Sequence, residues 1–210
     1  MITVFIKKVE DLTETEKQNI METLSDSAQA RLNKKRNEAL NLASLCALSL
    51  LTNEQRADLE YTESGRPFFK TLDADISISH SKTHSAVAIS DIKNEKVGID
   101  IEKIEPSPEG KGERKAMDEG TAIRTARFTR PIRFLTENER TALENGTPYL
   151  KIWTKKEALF KHLKSDDIPF IHLDSTTPEI YDAKFITVSF NGNVITTCTQ
   201  KGTLLQIIEK

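Results

Sequence analysis

An α+β fold is predicted for this chain, as two similar lobes in a pseudo-dimer, each an antiparallel sheet packed against a long helix. Three observations predict it. Short alternating apolar runs, "ITVFIKKV", "DISISHS", "HSAVAIS" and "KVGIDIE", have the period of strands. Other segments place apolar residues at helical spacing, the strongest being "YLKIWTKKEALFKHLK". Strands and helices recur in both halves in a similar order, dividing the chain into lobes at 1–95 and 96–210. With 210 residues the chain is long enough to bury a proper core.

The elements follow in order. After the strand "ITVFIKKV" a helix is predicted over "TETEKQNIMETL". A second runs from about Ser27 to Leu51, with Leu40, Ala43, Ala47, Leu50 and Leu51 on one stripe. "ESGRPFF" is a Gly-Pro turn. "DISISHS" and "HSAVAIS" are strands joined around Lys82, and "KVGIDIE" is a third. From Glu105 to about Arg130 the chain is rich in charge, Gly and Pro, so a mobile or partly helical loop is expected. Thr136 with Glu139 three residues later has the form of a capping box at a helix start. The tail, "AKFITVSF", "NGN", "VITTCTQ", "KG" and "LLQIIEK", reads as an antiparallel meander.

Composition narrows the function. Charged residues make up 30% but the net charge is only −2, so nothing global argues for nucleic acid or an anionic membrane. The apolar run around "LASLCALSLL" is too short to span a bilayer, and "MITVFIKKVED" lacks the pattern of a signal peptide. Cys46 and Cys198 have no metal-ligand spacing and read as reduced core cysteines of a cytoplasmic protein.

Two fragments carry chemistry. In "VGIDIEK", Asp100 and Glu102 alternate with Ile99 and Ile101, so both acids share one strand face, roughly 6.5–7 Å apart at Cα. On this fragment alone a solvated acidic face fits as well. On the wheel of "IWTKKEALFKHL", Ile152, Trp153, Leu159, Phe160 and Leu163 form the apolar face. Lys156 falls within it, where an ammonium needs an acid or phosphate partner, or else snorkels to solvent. Glu157 and Lys161 lie one turn apart on its flank. Brought together, Asp100, Glu102 and Glu157 are too many carboxylates to crowd without a metal, and carboxylate oxygens suit Mg²⁺. Lysines beside that ion would neutralise phosphate, the equipment of phosphoryl transfer.

"GRP" (65–67), "ISISHS" (76–81), "VGIDIE" (97–102), "RFLTENE" (133–139) and "WTKKEALFK" (153–161) occur in the order and rough spacing of a known family. The chain resembles the 4′-phosphopantetheinyl transferases, of the surfactin-synthetase-activating (Sfp) type. The resemblance implies transfer of the phosphopantetheine arm of coenzyme A to a serine of an acyl or peptidyl carrier protein. It implies Mg²⁺ on Asp100, Glu102 and Glu157, with Glu157 also as general base and Lys161 on the pyrophosphate. Lys156 would support the same site. Ser79 and His80 match residues on the coenzyme's 3′-phosphate, and Arg66 would be a further phosphate contact. "ARLNKKRNEALNLAS" offers Arg31, Lys35 and Ser44 there, though a solvated basic face fits that stretch equally. The first lobe would thus hold the 3′-phosphate, the second the metal and pyrophosphate, and the two-lobed length implies a monomer.

Three departures stand beside the resemblance. After Lys161 the chain reads "HLKSDDIPF", where the family has a Gly-x-Gly-Leu turn. The segment between Glu102 and Arg133 is longer than is typical, and its Arg124, Arg127, Arg130 and Arg133 suit either an acidic carrier helix or solvent. Pro131 keeps these arginines off one uninterrupted helix. Two other readings follow: a non-catalytic relative that binds coenzyme A or a carrier protein, and a metal-dependent nuclease. The nuclease is disfavoured because "DIEK" places its lysine one residue after Glu102 rather than two, and no basic groove with interleaved aromatics is evident.

Overall fold

The computed structural model describes residues 1–33, 37–104, 132–163, 168–200 and 205–210. Strand β1 (Ile2–Lys8) alternates as its sequence does, with Ile2, Val4 and Ile6 fully buried. Helix α1 (Glu14–Thr23) opens on a capping box between Thr13 and Glu16. The helix predicted from Ser27 to Leu51 is instead two, α2 (Asp26–Asn33) and α3 (Glu38–Ser49). Asn37 is the reason: it sits in extended backbone, and its Oδ1 accepts the Leu40 amide at 3.3 Å. Asparagine favours such a cap over a helix interior. Ala43, Ala47, Leu50 and Leu51 are buried as the stripe required, but Leu40, in the first turn of α3, is exposed.

Helix α4 (Asn53–Asp58) leads into a hairpin of β2 (Leu59–Tyr61) and β3 (Pro67–Phe69), whose turn alone was evident beforehand. β4 (Asp75–His80) and β5 (His84–Ser90) pair antiparallel, and β5 pairs with β1. β6 (Val97–Lys103) opens a second sheet. Helices α5 (Glu137–Glu144) and α6 (Tyr149–Leu163) follow, α5 on the expected Thr136–Glu139 capping box. β7 (Lys184–Phe190) and β8 (Asn193–Thr199) form a hairpin, and the second sheet has the order β6-β8-β7. The meander ends there. β9 (Leu205–Glu209) crosses back and pairs parallel with β1, giving the first sheet the mixed order β4-β5-β1-β9. Alternation assigns a strand's faces but does not name its neighbour, which is why this crossover was not visible in the pattern.

Four layers result. Ile2, Val4, Ile6, Ala86 and Ala88 of the first sheet meet Val97, Ile99, Ile101 and Ile195 of the second in one core. The first sheet's other face, through Phe5, Val87 and Ile89, packs with Ile20, Cys46 and Ala47 of the early helices. The second sheet's outer face carries α6, with Ala158 and Leu159 clustered with Cys198 and Phe185. Both cysteines are free and buried, and burial raises the pKa of each thiol. Among the described residues no helix is long and apolar enough to cross a membrane.

Candidate active site

With Ile99 and Ile101 committed to the inter-sheet core, Gly98, Asp100 and Glu102 share the opposite face of β6, toward α6. Gly98 sets the distance. A Cβ there would stand 2.0 Å from the Ala158 carbonyl oxygen and 2.6 Å from the His162 amide nitrogen. Only glycine lets helix and strand backbones approach this closely. Beyond that contact α6 presents Glu157 and Lys161, four residues apart and therefore on one face.

The other wall comes from β4, which runs beside β6 without forming a backbone ladder. Its polar alternate residues make the junction. Asp75 Oδ2 accepts the Val97 amide at 2.8 Å and Ser77 Oγ accepts the Ile99 amide at 3.1 Å. Ser79 Oγ, the third in the series, donates to Asp100 Oδ1 at 2.8 Å. The period-two pattern of "DISISH" thus joins the two sheets through D, S and S, while its isoleucines go to the core.

Lys161 closes this corner. Its Nζ donates to Asp100 Oδ1 at 2.9 Å, to Ser79 Oγ at 3.0 Å and to the Ile99 carbonyl at 3.0 Å. Asp100 is 4% exposed, and this ammonium is the cation paired with it. Its second oxygen, Oδ2, is buried with no hydrogen-bond partner among the described residues. An orphaned buried acceptor costs about 1–3 kcal/mol, and more when charged, unless something else binds it.

A cavity of about 310 Å³ opens beside this corner. From the first half of the chain it is lined by Arg31, Ser44, Ser79 and His80, and from the second by Asp100, Glu102, Glu157 and Lys161. Arg31 is held by Tyr61 and Gly65: its guanidinium carbon lies 4.7 Å from the Tyr61 ring centroid. Gly65 has φ +89°, and a Cβ there would meet the Arg31 guanidinium at 2.5 Å. Burial raises the Tyr61 pKa against the opposing Arg31 charge, so the phenol stays neutral. Arg66 lines an adjoining cavity of about 310 Å³, with Phe160 and Lys161 on its walls. Lys161 borders both.

A family model described as the 4′-phosphopantetheinyl transferase superfamily matches residues 96–204, just over half of the chain. The chain belongs to that superfamily. No curated protein matches the sequence. The matched region contains Asp100, Glu102, Glu157 and Lys161, whereas Arg31, Ser44, Arg66, Ser79 and His80 precede it.

Phosphopantetheinyl transferases of this superfamily typically use Mg²⁺ and coenzyme A. The residues here fit a hard divalent cation in kind: three carboxylates line one cavity, and one has a buried oxygen without a partner. As they stand, no three acidic, His or Cys side chains among the described residues are gathered into a group that could hold a metal ion. Mg²⁺ does not require such a cage, since it binds through one or two carboxylates, waters and substrate phosphates.

The remaining residues fall elsewhere. Lys156 is fully buried, but its ammonium donates to Glu139 Oε2 at 2.7 Å and to the Leu173 carbonyl, and it does not line the cavity. The acid that the apolar wheel position demanded is therefore Glu139. Lys35 and the arginine-rich stretch through Arg124, Arg127 and Arg130 lie outside the described residues. Arg133 stands over the Phe134 ring at 5.1 Å. Sequence reasoning did not single out Tyr61 or Gly98, nor Glu139 as the partner of Lys156. The capping-box signal did mark Glu139, but as a helix start, which concealed its second duty.

Proposed function

We propose that this phosphopantetheinyl transferase is of the Sfp type and moves the 4′-phosphopantetheine arm of coenzyme A onto a carrier-protein serine. The observation that best supports this is the mixed lining of one cavity, where Arg31, His80 and Lys161 stand together with Asp100, Glu102 and Glu157. A substrate with a pyrophosphate and a separate phosphate needs cations for its phosphates and carboxylates for a divalent ion.

In this reading Asp100, Glu102 and Glu157 hold Mg²⁺, which when bound stabilises charge on the pyrophosphate oxygens. Arg31, Lys35, Ser44 and His80 take the 3′-phosphate, with Arg66 as a further phosphate contact. Ser79, bonded to both Asp100 and Lys161, orients that pair. Lys161, which pairs with Asp100 at 2.9 Å, is the cation for the pyrophosphate. Glu157 takes the proton of the carrier serine as its Oγ attacks the phosphorus bearing the pantetheine. The bond from that phosphorus to the bridging oxygen breaks, and adenosine 3′,5′-bisphosphate leaves with the electron pair.

The same proposal includes a cytoplasmic monomer of two related lobes, 1–95 and 96–210. The early helices on the first sheet's outer face and α6 on the second's support two lobes, while β9, from the second half of the chain, belongs to the first sheet. One feature favours the second reading, a non-catalytic relative: the glycine-free "HLKSDDIPF" after Lys161. Calorimetric titration with coenzyme A, then chromatography for adenosine 3′,5′-bisphosphate after adding apo carrier protein and Mg²⁺, separates the two. Carrier-dependent release is expected; coenzyme A binding without release would favour the non-catalytic relative, and neither binding nor release would overturn the transferase reading.

A further inference from the structure

Helix α6 is fixed on two sides, and only one of them faces the cavity. On the strand side the Gly98 contact sets how near it lies to β6. Away from the cavity, Lys156 and Glu139 are both 0% exposed and bonded to each other. Both carboxylate oxygens of Glu139 and the Lys156 ammonium have hydrogen-bond partners. Lys156 also donates to the Leu173 carbonyl, while Glu139 Oε1 accepts from the Ser175 amide at 3.0 Å and the Ser175 hydroxyl at 2.8 Å. Glu139 Oε2 further accepts the Thr136 amide at 2.9 Å. One ion pair therefore ties together the start of α5, the middle of α6 and residues 173–175.

Stability alone does not account for it. Taking both charges out of water is expensive, and an apolar pair of similar volume often holds a fold as well or better. Apolar contact, however, tolerates a helix turning about its axis, whereas directed hydrogen bonds do not. Lys156 and Glu157 are successive residues, about 100° apart on the helix. A rotation that displaces one displaces the other, and with it Lys161 one turn on.

We infer that Glu139 and Lys156 are a positioning pair that sets the rotation of α6 and so aims Glu157 and Lys161 into the cavity. Neither lines the cavity, so neither is a catalytic residue. The kinetic consequence rests on the transferase reading above; the geometric one does not.

The test is the double variant Glu139→Gln with Lys156→Met, which leaves no lone charge buried. It is expected to fold, with a Tm within a few degrees of wild type. At an unchanged Tm, kcat should fall at least tenfold and coenzyme A binding should weaken through the displaced Lys161, a combination that general loosening would not give. Its crystal structure beside the wild type's should show Lys161 withdrawn from Asp100. A folded variant with kcat within twofold of wild type would overturn the inference. So would a slow variant with the Lys161–Asp100 contact intact, which would return Lys156 to a direct role. Should the wild type transfer nothing, the transferase reading fails, but the two crystal structures still decide the pair.

Discussion

Asp100 carries more of the site than any other residue. It accepts from Ser79 and Lys161 through one oxygen, and the other is buried with no partner among the described residues. Asp100→Asn preserves its shape and removes its charge, and is expected to cut transfer by about 100-fold or more while the fold survives. Wild-type turnover in that variant, measured by bisphosphate release, would remove Asp100 from the mechanism. The pairing of Asp100 with Glu102 was legible because alternation with two isoleucines forces both acids to one face. The partner of Lys156 was not, because Glu139 already had a complete local explanation in its capping box. His162, beside Lys161, gives a second test. Burial lowers its pKa from 6.5 to about 4, chiefly by penalising the charged ring. Between those values the unfolded chain binds the extra proton, so this stabilisation is complete above pH 6.5 and lost as pH falls toward 4. About 3 kcal/mol of stability should disappear over that range, and not in His162→Gln. Equal losses in urea titrations of both proteins would contradict this.

Among elements, the junction of β4, β6 and α6 does the positioning. Each component was visible as a strand or helix, but their contact was not, since no periodicity reports which edges lie side by side. Gly98 is its most sensitive point. Gly98→Ala must push α6 off β6, because the new carbon meets backbone rather than a flexible side chain. A cost of about 1–3 kcal/mol is expected from overpacking, and more if the helix cannot yield. Transfer should fall further than stability does, because Glu157 and Lys161 move with the helix. Unchanged denaturation and turnover would show that α6 has slack at this point. The split of the predicted Ser27–Leu51 helix belongs to the same scale. The apolar stripe from Leu40 to Leu51 does not mark where its helix begins, and Asn37 supplied a local cap that the spacing could not report.

For the molecule as a whole, β9 is the informative departure from expectation. It follows the β7–β8 hairpin in sequence yet extends the sheet begun by β1. The two sheets also share a core and are joined by the polar residues of β4. One cooperative unfolding transition is therefore expected, with calorimetric and van't Hoff enthalpies equal. Two resolved transitions would mean that the halves are energetically separate. Removing residues 205–210 should lower Tm, since it strips β1 of a parallel neighbour and exposes its edge.

The most direct measurement is intact-protein mass spectrometry of an apo carrier protein incubated with this protein, coenzyme A and Mg²⁺. The expected result is a carrier mass increased by one phosphopantetheine, abolished by chelator and by Asp100→Ala. A carrier left unmodified across fatty acid, polyketide and peptide synthesis types, by a protein that still binds coenzyme A, would contradict it.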